Sequence, residues 1–396
     1  MGAVGRNEVI ICGESALRYW RTPPIMRAMT SGDLRVLQID RVRLARFQAE
    51  AHQELALYQA LEGPAGVGRP VTDGALRQVR ELSCYVAPSL VPPIDVAVSC
   101  SDARRRSKLL RPCVTPDSLF EGHVVRSHSG VLICDPALTL LQLAAYLDLP
   151  RLLMVATEFC GSFSVYQAAP CQKRLLEDMC SEGKNLTVAG WRPTFARDGQ
   201  LTDLWSRPPL CDADTLLELA RQAAGRRGCK RLEQAARLLV PGAASPLEAR
   251  TGILLGLGAE HGGMGLRGFS FNERIDLDAR GQSLAGQTVC FCDLLWRGGP
   301  FGAAVDVECH SAGFHLGQAH ELADADRSLA LQSMGIEVLH VTYAQLASER
   351  RFAALAEVVA GSLGRDLPEP TPELLRRRAS LRRTVLGDWE SAAYRD

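Results

Sequence analysis

The 396-residue chain has no run of 18 or more apolar residues, which excludes a membrane-spanning helix. It has no excess of charge of either sign: 45 Lys and Arg balance 45 Asp and Glu. A protein that coats nucleic acid through bulk positive charge is therefore excluded, and any DNA contact must come from local patches. The composition also lacks the low hydrophobicity of a disordered chain, with 46% hydrophobic and 23% charged residues. That length suffices for two or three domains. Met1-Gly2-Ala3-Val4-Gly5-Arg6 lacks the apolar core of a signal peptide, so a cytoplasmic location is expected. There is no repeat of fixed period and no low-complexity tract. Among the 13 cysteines there is no CxxC. The closest pair, Cys290 and Cys292, shares a strand face with no further zinc ligand spaced nearby. The cysteines are read as reduced, mostly buried small apolar residues.

What is present is a mixed first half and an ordered second half. Ser15 caps a short helix that Pro23-Pro24 ends. Residues 91–100 alternate into a strand, and 123–134 reads as two strands meeting at Ser129-Gly130. Asp135-Pro136 opens a helix over 137–147, and another covers 150–159. The stretch 188–212 is expected to be irregular. A helical pair over 212–239 is broken at 225–228. Pro241-Gly242-Ala243-Ala244 is the best domain boundary. Beyond it come a helix to about Leu257, strands at 268–277, 288–295 and 303–309, and a helix over 321–334 stopped by Gly335. A strand at 336–341 and a helix over 343–363 follow. Pro368, Pro370 and Pro372 form a stiff linker before a basic terminal helix.

The chemistry concentrates in 245–346. Strand period puts Asp306, Glu308 and His310 on one face and Val305, Val307 and Cys309 on the other. Asp293, late in the preceding strand, and Glu308 would together make an oxygen-rich site for a hard divalent cation such as Mg²⁺, with Glu248 as a third carboxylate. Such a site polarises a phosphodiester and lowers the pKa of a bound water.

These residues carry a resemblance. Ser245-Pro246-Leu247-Glu248, Asp293, Val307-Glu308, His315, Asp326-Arg327 with Leu331, Gly335 to Leu339 and Thr342 follow in order. In this the chain resembles the very-short-patch-repair-endonuclease-like group of the PD-(D/E)xK nuclease superfamily. Arg226-Arg227-Gly228, Leu232 and Ala235-Ala236 look like the lead-in of bacterial members. The likeness covers 225–360. It implies a restriction-endonuclease-like mixed sheet flanked by helices, with Asp293 and Glu308 at the metal, and Glu248 and His310 beside them in catalysis. His310 stands where the superfamily has its lysine, two residues after Glu308. Ser15-Ala16-Leu17, Asp95 to Val98, Arg104-Arg105, and Gly130-Val131 leading to Pro136 and Leu140 resemble the AbiEi antitoxins of type IV toxin–antitoxin systems. Those are transcriptional autoregulators with an N-terminal winged helix. The match starts at Ser15, so little of a winged helix is expected.

Each candidate has a structural alternative. Glu248 completes a capping box with Ser245. Asp293 could bond a turn amide. Glu308 lies in an apolar strand where an unpaired carboxylate is costly, which argues for a metal or ion-pair partner. Asp306 competes for the same face. His310, His315 and His320 are candidates in falling order. Asp326 and Arg327 read as a structural ion pair at a helix start. The run Arg104-Arg105-Arg106-Ser107-Lys108 is more simply a solvated face. Arg376, Arg377, Arg378, Arg382 and Arg383 make a denser field that could bind DNA phosphates. Tyr19 and Trp20 read as core.

The expected architecture is α/β, with a regulator-like mixed α/β half over 1–240, an endonuclease-like domain over 241–366, and a linker with a basic helix over 367–396. The expected function is a metal-dependent DNA endonuclease. A non-catalytic DNA-binding or antitoxin-like regulator with a degenerate nuclease fold, acting with a partner toxin, is the alternative.

Overall fold

The computed structural model describes residues 9–31, 33–61, 92–99, 109–127, 130–298, 304–310 and 318–394. The arginine run 104–106 with Lys108, and His315, lie outside the described residues, and so does the side chain of His320. The chain is a mixed α/β protein. It forms two compact units that interleave along the sequence.

The first unit draws its described residues from Met1–Tyr146, Ser164–Arg207 and Glu218–Leu232. Its main sheet has β1 (Ile10–Ile11), β2 (Ile94–Val98), β3 (Leu110–Val114), β4 (Val124–Arg126) and β5 (Leu132–Cys134) in the order β3-β2-β1-β5-β4. The two strands expected over 123–134 are β4 and β5, paired antiparallel. Helices α1 (Gly13–Arg21), α2 (Pro24–Ser31), α3 (Leu34–Leu37), α4 (Arg41–Leu61) and α5 (Pro136–Ala144) accompany them. The cap of α1 is Cys12, not Ser15. The Ser15 hydroxyl instead accepts the Asp95 amide at 2.9 Å. Gly13 makes the earlier start feasible, because its φ of 53° suits glycine and a Cβ there would lie 2.6 Å from Asp95 Oδ2. Asp95 is fully buried and accepts the Glu14 amide at 2.8 Å. Arg111 brackets Asp95 and Glu14, so this buried carboxylate is fully partnered.

After α6 (Leu149–Phe159), the chain forms β6 (Phe163–Val165), α7 (Pro170–Ser181), β7 (Arg192–Phe195) and β8 (Leu201–Ser206). The stretch expected to be irregular therefore holds the β7–β8 hairpin, part of a sheet ordered β6-β8-β7. Its turn uses Gly199 at φ 82°, a local signal that mixed burial on these short strands obscures. The helical pair α8 (Ala213–Gln222) and α9 (Cys229–Leu238) stands as expected around 225–228.

The second unit takes Leu147–Phe163, Pro208–Leu217 and Glu233–Asp396. In chain order it contains α10 (Pro246–Gly256), β9 (Phe269–Asp276), α11 (Ala279–Ala285), β10 (Val289–Trp296) and β11 (Ala304–His310). It continues with α12 (Gln318–Ser333), β12 (Ile336–Thr342), α13 (Tyr343–Ala347), α14 (Glu349–Leu363) and α15 (Pro372–Val385). The strands make one mixed sheet ordered β12-β11-β10-β9, antiparallel except for the parallel pair β11–β12. Helices α10 and α14 pack on β11. Ala330 and Leu331 of α12 bury against Ile275, Leu277, Cys290, Cys292, Leu295, Ile336 and Val338. The single helix expected over 343–363 is split at Ser348, whose hydroxyl caps α14 by accepting the Arg351 amide.

One irregularity in this sheet shapes the site. Phe269 and Phe271 of β9 lie against Gly252 of α10, yet Ile275 and Leu277 lie in the cluster with α12. Strict alternation would put all four on one face. Between them Asn272 takes a left-handed φ of 49°, a conformation asparagine tolerates better than most residues. The ladder pairs Cys292 with Glu273 and Leu294 with Phe271 on either side. The face inverts at this step, beside Asp293.

Candidate active site

The acidic residues of the second unit converge where β10 and β11 part. The β10–β11 ladder pairs Leu295 with Asp306 and Trp296 with Val305. Beyond it, Asp293 fills the gap with its carboxylate: Oδ2 accepts the Cys309 amide at 2.7 Å. Asp293 feels the charges of both Glu308 and Glu248. The structure thus brings Asp293 and Glu308 together, and Glu248 approaches Asp293 from α10.

Burial makes this cluster electrostatically expensive. It pushes Asp293 up to about 8, with Glu308 and then Glu248 adding to the rise. Glu308 also rises to about 8, from burial first and then Asp306. Asp306, with no exposed surface, rises to about 6 from burial. Glu248 is raised by burial as well. Both oxygens of Asp306 and Oε1 of Glu308 are buried without a hydrogen-bond partner among the described residues. Asp306 interacts with Glu308 and the Cys292 thiol, and that thiol is itself raised by burial and by Asp306.

The resident positive charge is Arg327. Its guanidinium donates to Glu308 Oε2. Burial disfavours this cation, but Glu308, Asp293 and Asp306 more than offset that and hold its pKa above the ordinary arginine value. Asp326 and Arg327 sit well inside α12, which begins at Gln318, not at a helix start. Arg327 is ion-paired instead with Glu308 on β11. A sequence signal existed, since Arg327 precedes the buried Ala330 and Leu331 by about one turn. Its partner strand could not be read.

Of the two roles weighed for Glu248, the structure shows the one at the helix start. The Ser245 hydroxyl accepts the Glu248 amide at 3.2 Å and caps α10. Glu248 Oε2 accepts the Ala244 amide at 2.8 Å and the Asn272 side-chain amide at 2.6 Å. The reciprocal bond of the expected capping box goes to Ala244, one residue before the cap.

His310 ends β11, and its Nε2 lies 2.5 Å from Nδ1 of His340 on β12. One ring donates and the other accepts. His340 stands in register with Glu308 on the parallel strand, so the pair flanks the acidic cluster. Pairing across β11–β12 is what the sequence reading lacked for His340.

The terminal helix departs from the expected basic face. Arg382 is buried and donates to the Ala347 carbonyl at 3.1 Å. Arg378 is half-buried with its Nη2 3.4 Å from the Pro368 carbonyl. Arg377 is ion-paired to Glu373. Leu374, Leu381 and Val385 are buried on the same helix, and Trp389 beyond it donates to Glu158 at 2.9 Å. Arg376 and Arg383 alone of the five are exposed without a recorded partner. The helix is a packing element of the second unit, because its period aims Arg378 and Arg382 inward with the leucines.

Among the described residues no group of three or more His, Cys, Asp or Glu side chains is arranged to hold a metal ion. An all-protein cage of the zinc or calcium kind is not formed by them. The donor chemistry suits Mg²⁺ nonetheless. That ion is commonly held by one or two carboxylates, with water and phosphate completing its octahedron, and the unpartnered Glu308 Oε1 is such an oxygen. Searches of protein-family models, curated proteins and solved structures find no match to the chain.

Proposed function

We propose that the second unit is an endonuclease-like module that hydrolyses DNA phosphodiesters in the cytoplasm with Mg²⁺. The observation that carries this reading is the buried convergence of Asp293, Asp306 and Glu308 on one guanidinium, with carboxyl pKa values raised to about 8, 6 and 8. A fold avoids such a cluster unless it serves a purpose. The mixed sheet with helices packed on its strands supports the restriction-endonuclease-like reading. No helix among the described residues is long and apolar enough to cross a membrane.

In this reading Asp293 and Glu308 hold the ion. When bound, the ion supplies charge for the phosphodiester and acidifies a water. Glu308 Oε2 keeps its pair with Arg327 while Oε1 faces the ion site, and the Arg327 guanidinium, rigid and permanently charged, would also offer its remaining N–H donors to a phosphate oxygen. It provides the fixed cation that His310 cannot. The His310–His340 couple holds and moves a proton at the Nε2–Nδ1 contact. Glu248 and Asn272 tie α10 to β9, the strand next to the one that carries Asp293.

A second reading, a non-catalytic DNA-binding or antitoxin-like regulator acting with a partner toxin, is favoured by His310 in the lysine position and by Arg327 engaged on Glu308. Purified protein with Mg²⁺ or Mn²⁺ and plasmid DNA separates the two. Nicking or linearisation by the wild type, lost in Glu308→Gln and kept or raised in His310→Lys above about pH 7, supports the nuclease. If wild type and His310→Lys both bind duplex DNA and leave it intact, the regulator reading replaces it.

A further inference from the structure

We propose that Cys160 and Cys211 are an oxidisable dithiol that closes to a disulfide when a hydroperoxide reaches the second unit. The two Sγ atoms lie 3.7 Å apart. Cys160 caps the C-terminus of α6, and Cys211 lies on the segment leading into α8. The amides of Leu210 and Cys211 both donate to the Phe159 carbonyl, at 2.8 and 3.4 Å. The two backbones are therefore already clamped side by side, as a disulfide requires. Closing the bond brings the two sulfurs from 3.7 Å to about 2.0 Å.

The chemistry balances with a peroxide as the oxidant. Cys211 is half-buried and Cys160 is 2% exposed, so Cys211 meets the peroxide first. Its sulfur attacks one oxygen of hydrogen peroxide, the O–O bond breaks, the leaving hydroxide takes the thiol proton and departs as water, and Cys211 becomes a sulfenic acid. The Cys160 sulfur then attacks the Cys211 sulfur. The S–O bond breaks, the hydroxide takes the Cys160 proton, and a second water leaves. Two thiols and one peroxide become one disulfide and two waters.

A contrasting pair sharpens the assignment. Cys12 and Cys113 in the first unit also interact, but Cys12 directly follows β1, and Cys113 lies on β3 with β2 between them. Strands two places apart are about 9.5 Å from each other, beyond the Cα separation a disulfide spans. Proximity of sulfurs is shared, but the backbone clamp is found at Cys160–Cys211.

The position also matters. The Cys160 carbonyl accepts the Gly242 amide, and the Ser162 amide donates to the Ala243 carbonyl at 2.8 Å. Gly242 in turn accepts from Asn272, which holds Glu248. Oxidation thus acts on the segment that anchors the acidic site. The dithiol itself does not depend on that site being a nuclease.

The full chain is treated with a few equivalents of hydrogen peroxide, trapped with iodoacetamide, digested without reductant and sequenced by mass spectrometry. The expected result is a linked peptide joining Cys160 to Cys211, two hydrogens lighter than the reduced pair and released by dithiothreitol. It should be absent from Cys211→Ser, whose unchanged melting midpoint before oxidation shows that it folds. Oxidised wild type should melt several degrees higher, since the bond closes a loop between residues 51 apart. If no Cys160–Cys211 peptide forms while peroxide oxidises the exposed Cys180, or if Cys211 links to another cysteine, the proposal is overturned.

Discussion

The Arg327 guanidinium on α12 is ion-paired to Glu308 on β11, and among the described residues it is the fixed cation that also acts on Asp293 and Asp306. Removing it leaves several carboxyl groups to share too few counter-charges. Arg327→Gln should lower unfolding free energy by about 2 kcal/mol at pH 8, on the scale of breaking a partly buried pair. The loss should shrink toward pH 5, where protonated Glu308 no longer needs the cation. Urea melts at both pH values check this, and an equal loss at both would show that Arg327 contributes packing, not charge.

The same cluster dictates how stability varies with pH in the absence of divalent cations. A carboxyl whose folded pKa lies above its unfolded value binds protons more readily in the folded state. Its contribution is present below the unfolded pKa, near 4, and is lost as pH rises through the folded value. With Asp293 and Glu308 near 8 and Asp306 near 6, stability should fall between about pH 5 and pH 9. Asp306→Asn should flatten the part of this slope between about pH 4 and pH 6. A wild-type melting midpoint that rises across the whole window would contradict the assignment.

The terminal helix divides its arginines between two jobs. Arg376→Ala with Arg383→Ala removes the two exposed arginines that are not ion-paired on this helix, as Arg377 is to Glu373, and should reduce the salt slope of duplex DNA binding by up to about 2. Arg382→Ala instead strips a buried donor from the Ala347 carbonyl, and should cost about 1–2 kcal/mol of stability with little change in slope. Fluorescence anisotropy over a salt series, alongside thermal melts, tests both. Truncation before Pro372 is expected to destabilise the second unit, because it also removes Leu374, Leu381, Val385 and Trp389 from the core.

Gly252 on α10 lets the helix approach β9 closely. A Cβ there would lie 2.4 Å from the tip of the Phe271 ring and 3.0 Å from that of Phe269. Gly252→Ala should destabilise by about 1–3 kcal/mol through overpacking, despite the better helix propensity of alanine. A neutral or stabilising result in a denaturant melt would mean the phenylalanine rings move aside without strain.

Much of this protein was legible in local sequence. Asp135-Pro136 and Ser245-Pro246 mark helix starts because a side-chain oxygen beside a proline satisfies amides that the helix leaves open. The alternation of 304–310 places Asp306 and Glu308 on one face because strand side chains repeat every two residues. Those signals operate over a few bonds. Three features depended on distant partners. The left-handed Asn272 inverts the face of β9 beside Asp293, and alternation alone cannot contain such an inversion. The basic stretch of α15 is half interior, because Arg378 and Arg382 find carbonyls of Pro368 and Ala347 that the helix sequence does not reveal. The acidic cluster takes its charge balance from Arg327 and its histidine pair from His340, residues 19 and 30 positions along the chain from Glu308 and His310. Spacing within one element sets which way a side chain points. Only the packing of sheet against helix decides what it meets, because burial and Coulomb energy depend on distance in space and not on separation in sequence.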